Sequence, residues 1–286
     1  MTSFNATSPI SVNNADQFVL WLSRHWILVF SFLFGGYILT PFLAPAFMAI
    51  GWTIPAKAIY WVYSFLCHQL PERSYFIFGP KISYSLPEIQ SAWQNTNNIV
   101  ILRQFVGNEQ MGWKVAWSDR MVSMFTSIWL FGVFWGLVKK KIKALPWWGL
   151  ALLILPMAVD GTTHFISDLA GIGQGFRDSN TWLAVLTNYR FVNTFYSGDA
   201  WGSFNAWMRL ISGVLFGLGI VWFGFSYINE VFSNSSEIAQ YKIQSRSLLN
   251  QEKERLLHLF SVGVSRNDKS DVVMKFGQVG NNDGRK

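Results

Sequence analysis

The chain has 286 residues, of which 51% are hydrophobic and 17% aromatic, while only 14% are charged. Soluble domains average about 25% charged residues, so this composition excludes an ordinary soluble domain. The single cysteine excludes an intramolecular disulfide. The formal net charge of +7 is attributed to the cytoplasmic flanks of membrane spans rather than to nucleic-acid binding.

Charged residues are missing from long blocks of the chain. Residues 25–56, 121–138 and 210–229 contain no Asp, Glu, Lys or Arg, and residues 146–167 contain only Asp160. Each block supplies roughly the 20 apolar residues that a spanning helix needs. The pattern predicts an all-α, polytopic transmembrane helical bundle. The predicted spans are 26–50, 117–138, 146–166 and 208–230.

A further apolar segment, 55–78, is harder to interpret. Its uncharged run from Ala58 to Pro71 is too short to cross a bilayer alone. As a broken spanning helix it brings the count to about five spans, which we favour. As a re-entrant segment it leaves four, and the N-terminus then lies inside rather than outside.

Clustered lysines predict the orientation of the bundle. Four of the five residues 139–143 are lysines, so this loop and the C-terminal tail are expected to be cytoplasmic. The chain then divides into a polar N-terminal segment, 1–24, a transmembrane helical domain, 25–232, and a cytoplasmic tail, 233–286. The tail has an amphipathic helical pattern over 238–260 and a composition typical of disorder over 265–286.

Two predicted spans carry glycines four residues apart. Such spacing lets the backbones of membrane helices approach closely, so helix packing is the preferred interpretation. The glycines are Gly132, Gly136, Gly213 and Gly217.

A polar cluster, CHQLPERS at 67–74, interrupts the second apolar segment. Ionisable side chains are costly in a bilayer and usually face a cavity or mark a site. The alternative is a position at the membrane interface, with the Arg73 side chain extending toward water. The candidate residues are Cys67, His68, Gln69, Glu72, Arg73 and Ser74.

Two further polar pairs fall within or beside predicted spans. Asp160 and His164 are four residues apart and share a helix face. Asp119 and Arg120 lie near the start of the predicted span 117–138. An intramembrane carboxylate needs a cation, so we expect Asp160 to pair with Arg73 or Arg120. We hypothesise that all these residues line one polar cavity.

Metal binding has weak support in the residues. Cys67, His68, Asp160 and His164 are of the types that ligate Zn²⁺, but the chain has no HExxH, no GxSxG and no cysteine pair. We therefore predict no metal and no cofactor.

The segment 67–74 matches in full the CHQxPxRS motif of an uncharacterised family of integral membrane proteins, mainly bacterial and archaeal, of unknown function. Residues 112–125 and 156–161 resemble further family blocks, and 177–179 and 209–213 resemble later positions, so the resemblance covers about 25–232. Three positions depart from it: Ser118 for a second cysteine, Met121 for Asp and His164 for Gln. Residues 181–206 resemble an insertion. The resemblance implies positions but no activity, and it gives no support here to a dithiol or a cysteine-based metal site.

Three functions remain open at this point. The preferred one is an integral membrane protein whose polar intramembrane cavity handles a small solute, an ion or a lipid. The first alternative is an accessory subunit of a membrane complex, and the second is a metal-dependent or lipid-substrate membrane enzyme. The expected partners are the lipid bilayer and a membrane protein or a second copy of the chain, without nucleic acid. The expected location is a prokaryotic plasma membrane.

Overall fold

The structure, a computed structural model, describes residues 13–139 and 141–277, with side chains through residue 259. These ranges are mostly helical. The helices are α1 Asn14–Ala49, α2 Thr53–Ser64, α3 Leu86–Ala92, α4 Ile99–Leu102, α5 Asp119–Val138, α6 Trp147–Asp168, α7 Phe176–Ser179, α8 Thr181–Leu186, α9 Asn193–Tyr196 and α10 Phe204–Gly277. The strands are β1 Ser74–Ile77, β2 Gly107–Asn108 and β3 Gly112–Ser118.

The predicted helical membrane bundle is confirmed. Among the described residues, four helices are long and apolar enough to cross a membrane: α1, α5, α6 and the part of α10 from Phe204 to Leu259. The preferred expectation of a fifth span is wrong, and the alternative of four spans agrees with the structure. Within 55–78, α2 is 12 residues long, or about 18 Å at 1.5 Å per residue, and the chain then enters a 3₁₀ turn and β1. A bilayer core is about 30 Å thick, so this segment is too short to span it as a helix.

The chain divides into two compact units. One is formed by described residues within 26–230, and the other by the described residues before and after that range. In the second unit, Arg246 forms an ion pair of 2.6 Å with Asp16. The expected polar segment 1–24 is helical from Asn14, and its first 12 residues lie outside the described ranges. In the tail, α10 continues through Gly277, and 278–286 lie outside the described ranges.

A small antiparallel sheet, in the order β1-β3-β2, was not predicted from the sequence. Ser74 pairs with Ser118 and Phe76 with Lys114. The pairing of Ser74 with Ser118 brings the polar cluster 67–74 to the start of α5.

Two apolar clusters hold the sheet in place. One packs Ile38 of α1 and Tyr63 of α2 against Trp117 of β3. The other packs Phe76 of β1 against residues of α3 and α4, with Ile89 and Leu102 fully buried. Burial of these side chains fixes the loops that follow β1 to the membrane helices.

Glycines bring α10 close to α5. A Cβ atom at Gly213 would lie 2.1 Å from the Ser123 Oγ, and one at Gly217 would lie 2.0 Å from the Ser127 Oγ. The Ser127 hydroxyl donates to the Gly213 carbonyl at 3.2 Å across this contact. On α5, Gly132 faces the ring of Phe225. Small residues permit such close approach of two helix backbones in membrane proteins.

The substitution Gly217→Ala is expected to destabilise the bundle by about 1–3 kcal/mol, because the added methyl group overpacks the contact with α5. Thermal unfolding of the purified protein in neutral detergent measures the effect. Gly224→Ala on the same helix is the matched control, since a Cβ atom there meets nothing within 4 Å. Equal unfolding midpoints for the two variants would contradict the close helix contact.

Candidate functional site

Four arginines and four aspartates form a network at the end of the bundle where α5 begins and α6 ends. Each arginine contacts at least one of the carboxylates at 2.6–2.8 Å. Their formal charges cancel, which offsets the cost of burying them. The residues are Arg73, Arg120, Arg177 and Arg209 with Asp119, Asp160, Asp168 and Asp199.

Arg73 is fully engaged by two carboxylates. Its Nη1 and Nη2 donate to the two oxygens of Asp168 at 2.7 Å, in the bidentate geometry that strengthens such pairs. Its Nε donates to the Asp199 Oδ2 at 2.7 Å. The guanidinium thereby joins the turn before β1 to the end of α6 and to the loop that precedes α10.

Arg209 of α10 makes the matching set of contacts. Its Nε donates to the Asp119 carboxylate at 2.8 and 2.9 Å, and its Nη1 donates to the Asp199 Oδ1 at 2.6 Å. Asp119 lies in the first turn of α5, where a carboxylate also complements the helix dipole. Although burial alone raises the pKa of Asp199, the charges of Arg73 and Arg209 hold that pKa well below its ordinary value.

Asp160 and His164 lie behind these contacts on α6. Asp160 accepts from Arg120 Nη2 and from Arg177 Nη2, each at 2.7 Å. The His164 Nδ1 lies 3.0 Å from the Asp160 carbonyl, and its Nε2 lies 3.5 Å from Arg209 Nη1. Asp160 was expected to pair with Arg73 or Arg120. It pairs with Arg120, whereas Arg73 pairs with Asp168 and Asp199.

A cavity of about 400 Å³, here called the Arg120 cavity, opens beside the network. Six of the ten candidate residues line it, namely Cys67, His68, Gln69, Arg73, Asp119 and Arg120. Asp160 and His164 are buried behind this wall and support Arg120. Ser74 is buried, with its hydroxyl donating to the Leu70 carbonyl. Glu72 lines a different cavity. The ten residues therefore do not share one cavity.

Cys67 lies against Ser118, which occupies the position where the family resemblance implies a second cysteine. Its Sγ is 3.5 Å from the Ser118 Oγ and 3.4 Å from the Ser118 backbone nitrogen. Asp160 and His164 are engaged by arginines instead. In the described part of the chain, no group of three or more His, Cys, Asp and Glu side chains is arranged to hold a metal ion.

Two buried groups of opposite charge lie outside the spans. Burial raises the pKa of Glu72 to about 7, although Arg73 and Lys114 oppose the shift. Burial lowers the pKa of Lys114 to about 7, although Glu72 opposes the shift. The Lys114 ammonium donates to the carbonyls of Gln69 and Arg103 at 2.7 and 2.8 Å, whereas neither carboxylate oxygen of Glu72 has a hydrogen-bond partner.

Sequence reasoning did not select five charged residues that the site depends on. Asp168 ends a predicted span and Asp199 lies in a loop without periodicity, so neither position stood out. For Arg177 and Arg209 the signal was the family resemblance, and for Lys114 it was a lysine in an otherwise apolar strand. The missed residues are Lys114, Asp168, Arg177, Asp199 and Arg209.

The fold and the charged network define an integral membrane protein with a polar site at one end of its helices. The sequence model of a family described as "Predicted membrane protein (DUF2085)" matches residues 110–197, so the predicted family resemblance is confirmed over that part of the chain. The match includes Arg120, Asp160 and Arg177 but not the segment 67–74.

The chain is also similar to a curated protein. The chain is 28% identical over 170 residues to an uncharacterized protein of Methanocaldococcus jannaschii, covering 57% of this chain and 81% of the relative. No solved structure matches the chain.

The substitution Asp199→Asn is expected to destabilise the protein by about 3–5 kcal/mol, because it leaves the buried Arg73 and Arg209 without their shared counter-ion. Thermal unfolding in detergent measures the loss. Lys81→Gln is the control, since its ion pair with Glu88 is exposed and should leave the midpoint unchanged. An unchanged midpoint for Asp199→Asn would show that the network does not stabilise the fold.

The substitution Glu72→Gln is expected to stabilise the protein at pH 8, by on the order of 1–3 kcal/mol. The folded-state pKa of Glu72, about 7, lies above its ordinary 4.5, so folding favours the protonated form. The stability from that form is present below pH 4.5 and is lost as the pH rises to about 7. Unfolding midpoints at pH 5 and pH 8 measure the gain, which should be smaller at pH 5.

Glu88→Gln is the control for this prediction. Although burial raises the pKa of Glu88, the Lys81 ammonium and Ser85 lower it below its ordinary value, so this substitution should not stabilise the protein at pH 8. Lower stability of Glu72→Gln at pH 8 would contradict an uncompensated Glu72.

Proposed function

We propose that this membrane protein binds an amphiphilic anion in the Arg120 cavity, with lipid as the first candidate. The observation that carries the proposal is the incomplete bonding of Arg120. Its Nη2 contacts Asp160 and His164, but its buried Nε has no hydrogen-bond partner in the described residues. Arg73 uses all three of its nitrogens within the network. Arg120 is therefore the arginine with hydrogen-bonding capacity left for a ligand.

The other wall of the cavity is apolar and supports a ligand with a hydrocarbon portion. Small-molecule sites combine such walls with a few directed polar groups, and about 400 Å³ lies within their usual size range. Phe165 and Leu169 are largely exposed at the end of α6, where a lipid chain can reach them. The apolar lining residues are Leu66, Leu70, Ile99, Met121, Phe165 and Leu169.

The orientation of the bundle is part of the proposal. The lysines at 139, 141 and 143 lie at the opposite end of α5 from Arg120, and they favour a cytoplasmic position for that end. The C-terminal tail is then cytoplasmic, and the Arg120 cavity opens toward the outer face of a cell membrane. The ligand would enter from that face or from the outer leaflet.

Cys67 is a reporter for this cavity because it lies in the wall and is the only cysteine of the chain. Its rate of labelling by a fluorescent maleimide is measured on the detergent-purified protein as dihexanoyl phosphatidic acid is added. We expect the lipid to slow labelling, and Arg120→Gln to raise the half-protecting concentration about 10- to 100-fold, as for a lost charge-assisted hydrogen bond of about 1.5–3 kcal/mol.

Three controls complete the experiment. Lys57→Gln removes an exposed lysine from α2 and should leave protection unchanged. Dihexanoyl phosphatidylcholine tests the same chains without net charge and should protect weakly. Inorganic phosphate that protects at the same concentrations would identify a small anion instead, and absence of protection by any of these probes would reject the site.

A further inference from the structure

A second and larger cavity, here called the Glu72 cavity, is lined by Glu72 of the turn Pro71–Arg73. Its volume is about 970 Å³, and all of its lining residues belong to the unit formed by residues 26–230. Its walls come from segments 81–90, 172–178 and 194–201, together with Glu72 and Asn97. None of these segments is part of a membrane span.

Glu72 lines this cavity, and its carboxylate has no hydrogen-bond partner in another residue of the described structure. The residue is 2% exposed, and neither of its carboxylate oxygens has a hydrogen-bond partner in the described structure. The adjacent Arg73 is bound to Asp168 and Asp199. Buried polar groups in native proteins are nearly always bonded, and an unpaired buried carboxylate is costly. The missing partner is therefore expected to be a ligand.

The charges around the cavity favour a cation as that ligand. Asp199 is neutralised by Arg73 and Arg209, and Glu88 is paired with Lys81. Asp178 accepts from the Gly175 backbone nitrogen at 2.8 Å. Among the described residues, neither Glu72 nor Asp178 forms an ion pair.

The charged groups that act on Glu72 are near but already used. Arg73 is held by its two aspartates, and the Lys114 ammonium donates to the carbonyls of Gln69 and Arg103. Asp199 opposes the ionisation of Glu72, and its own charge is taken up by the network. No neighbouring cation completes the bonding of the Glu72 carboxylate.

Size and lining indicate an organic cation. About 970 Å³ is far more than a bare metal ion occupies and is typical of organic ligands. No metal-type cluster of side chains is found in the described ranges. Trp201, which is 45% exposed, lines the cavity, and an indole ring attracts ammonium groups. Ser197 and Thr194 add hydroxyl groups to the wall.

We infer that the Glu72 cavity is a binding site for a small organic cation with a primary ammonium group, and that the Glu72 carboxylate is its counter-ion. The ammonium group can come from a free amine or from an aminated lipid headgroup. The ammonium would supply the donors that both Glu72 oxygens lack. Because the pKa of Glu72 is about 7, binding should weaken as the pH falls below 7.

The test is calorimetric titration of the full-length protein in neutral detergent at pH 8 with putrescine, ethanolamine and dihexanoyl phosphatidylethanolamine. We expect at least one probe to bind the wild type, and Glu72→Gln to weaken that binding at least about 10-fold, as for a lost charged contact. Glu109→Gln removes an exposed carboxylate that lines neither cavity and should bind as the wild type does. Strong binding of the lipid alone would identify a headgroup source, and strong binding of the free amines would identify a soluble ligand.

Several outcomes would overturn the inference. They are no binding of any probe to the wild type, equal binding by Glu72→Gln, and displacement of the amine by an equal concentration of Mg²⁺. Glu72→Gln removes a buried charge without changing the size of the side chain, so an intact unfolding transition verifies that it folds. The Cys67 protection experiment reports on the Arg120 cavity, so failure of one site is distinguishable from failure of the other.

Discussion

Shared counter-ions for buried arginines are the constraint on which the rest of this structure depends. Asp199 binds Arg73 and Arg209 at once, and Asp160 binds Arg120 and Arg177. A buried guanidinium without a carboxylate would be costly, so each pair requires its elements to meet in one arrangement. The turn before β1, the ends of α5 and α6, the loop at 197–203 and the start of α10 are joined by these contacts. At this end of an apolar bundle, ion pairs rather than buried apolar side chains join these elements.

The turn Pro71–Arg73 separates two chemically different cavities. Of its consecutive residues, Glu72 lines one cavity and Arg73 lines the other. The Arg120 cavity offers an arginine with free bonding capacity beside an apolar wall, while the Glu72 cavity offers a buried carboxylate beside a tryptophan. One short turn therefore contributes a residue to each of the two proposed sites, one for an anion and one for a cation.

The parts that could be predicted follow from local physics. Charge-free blocks predicted four spanning helices, and the helical spacing of Asp160 and His164 correctly placed them on one face. The fifth span was wrong because β1 takes its hydrogen-bond partners from β3, which lies about 40 residues further along the chain. Likewise, the ten polar candidates do not line one cavity, because Glu72 lines another and Ser74, Asp160 and His164 are buried. These placements are set by tertiary contacts, not by the local sequence.

By itself, the sequence determined the class of protein, the positions of its four spanning helices and some of the residues whose burial would require partners. Hydrophobicity and charge are properties of segments, so they can be read from the printed chain. The choice of partners was decided only by the tertiary structure. Arg73 selects Asp168 and Asp199, which are 95 and 126 positions away, rather than Asp160. Such a choice depends on how the helices pack and on the register of β1 with β3, because a charged pair forms only where two side chains are brought within a few ångströms.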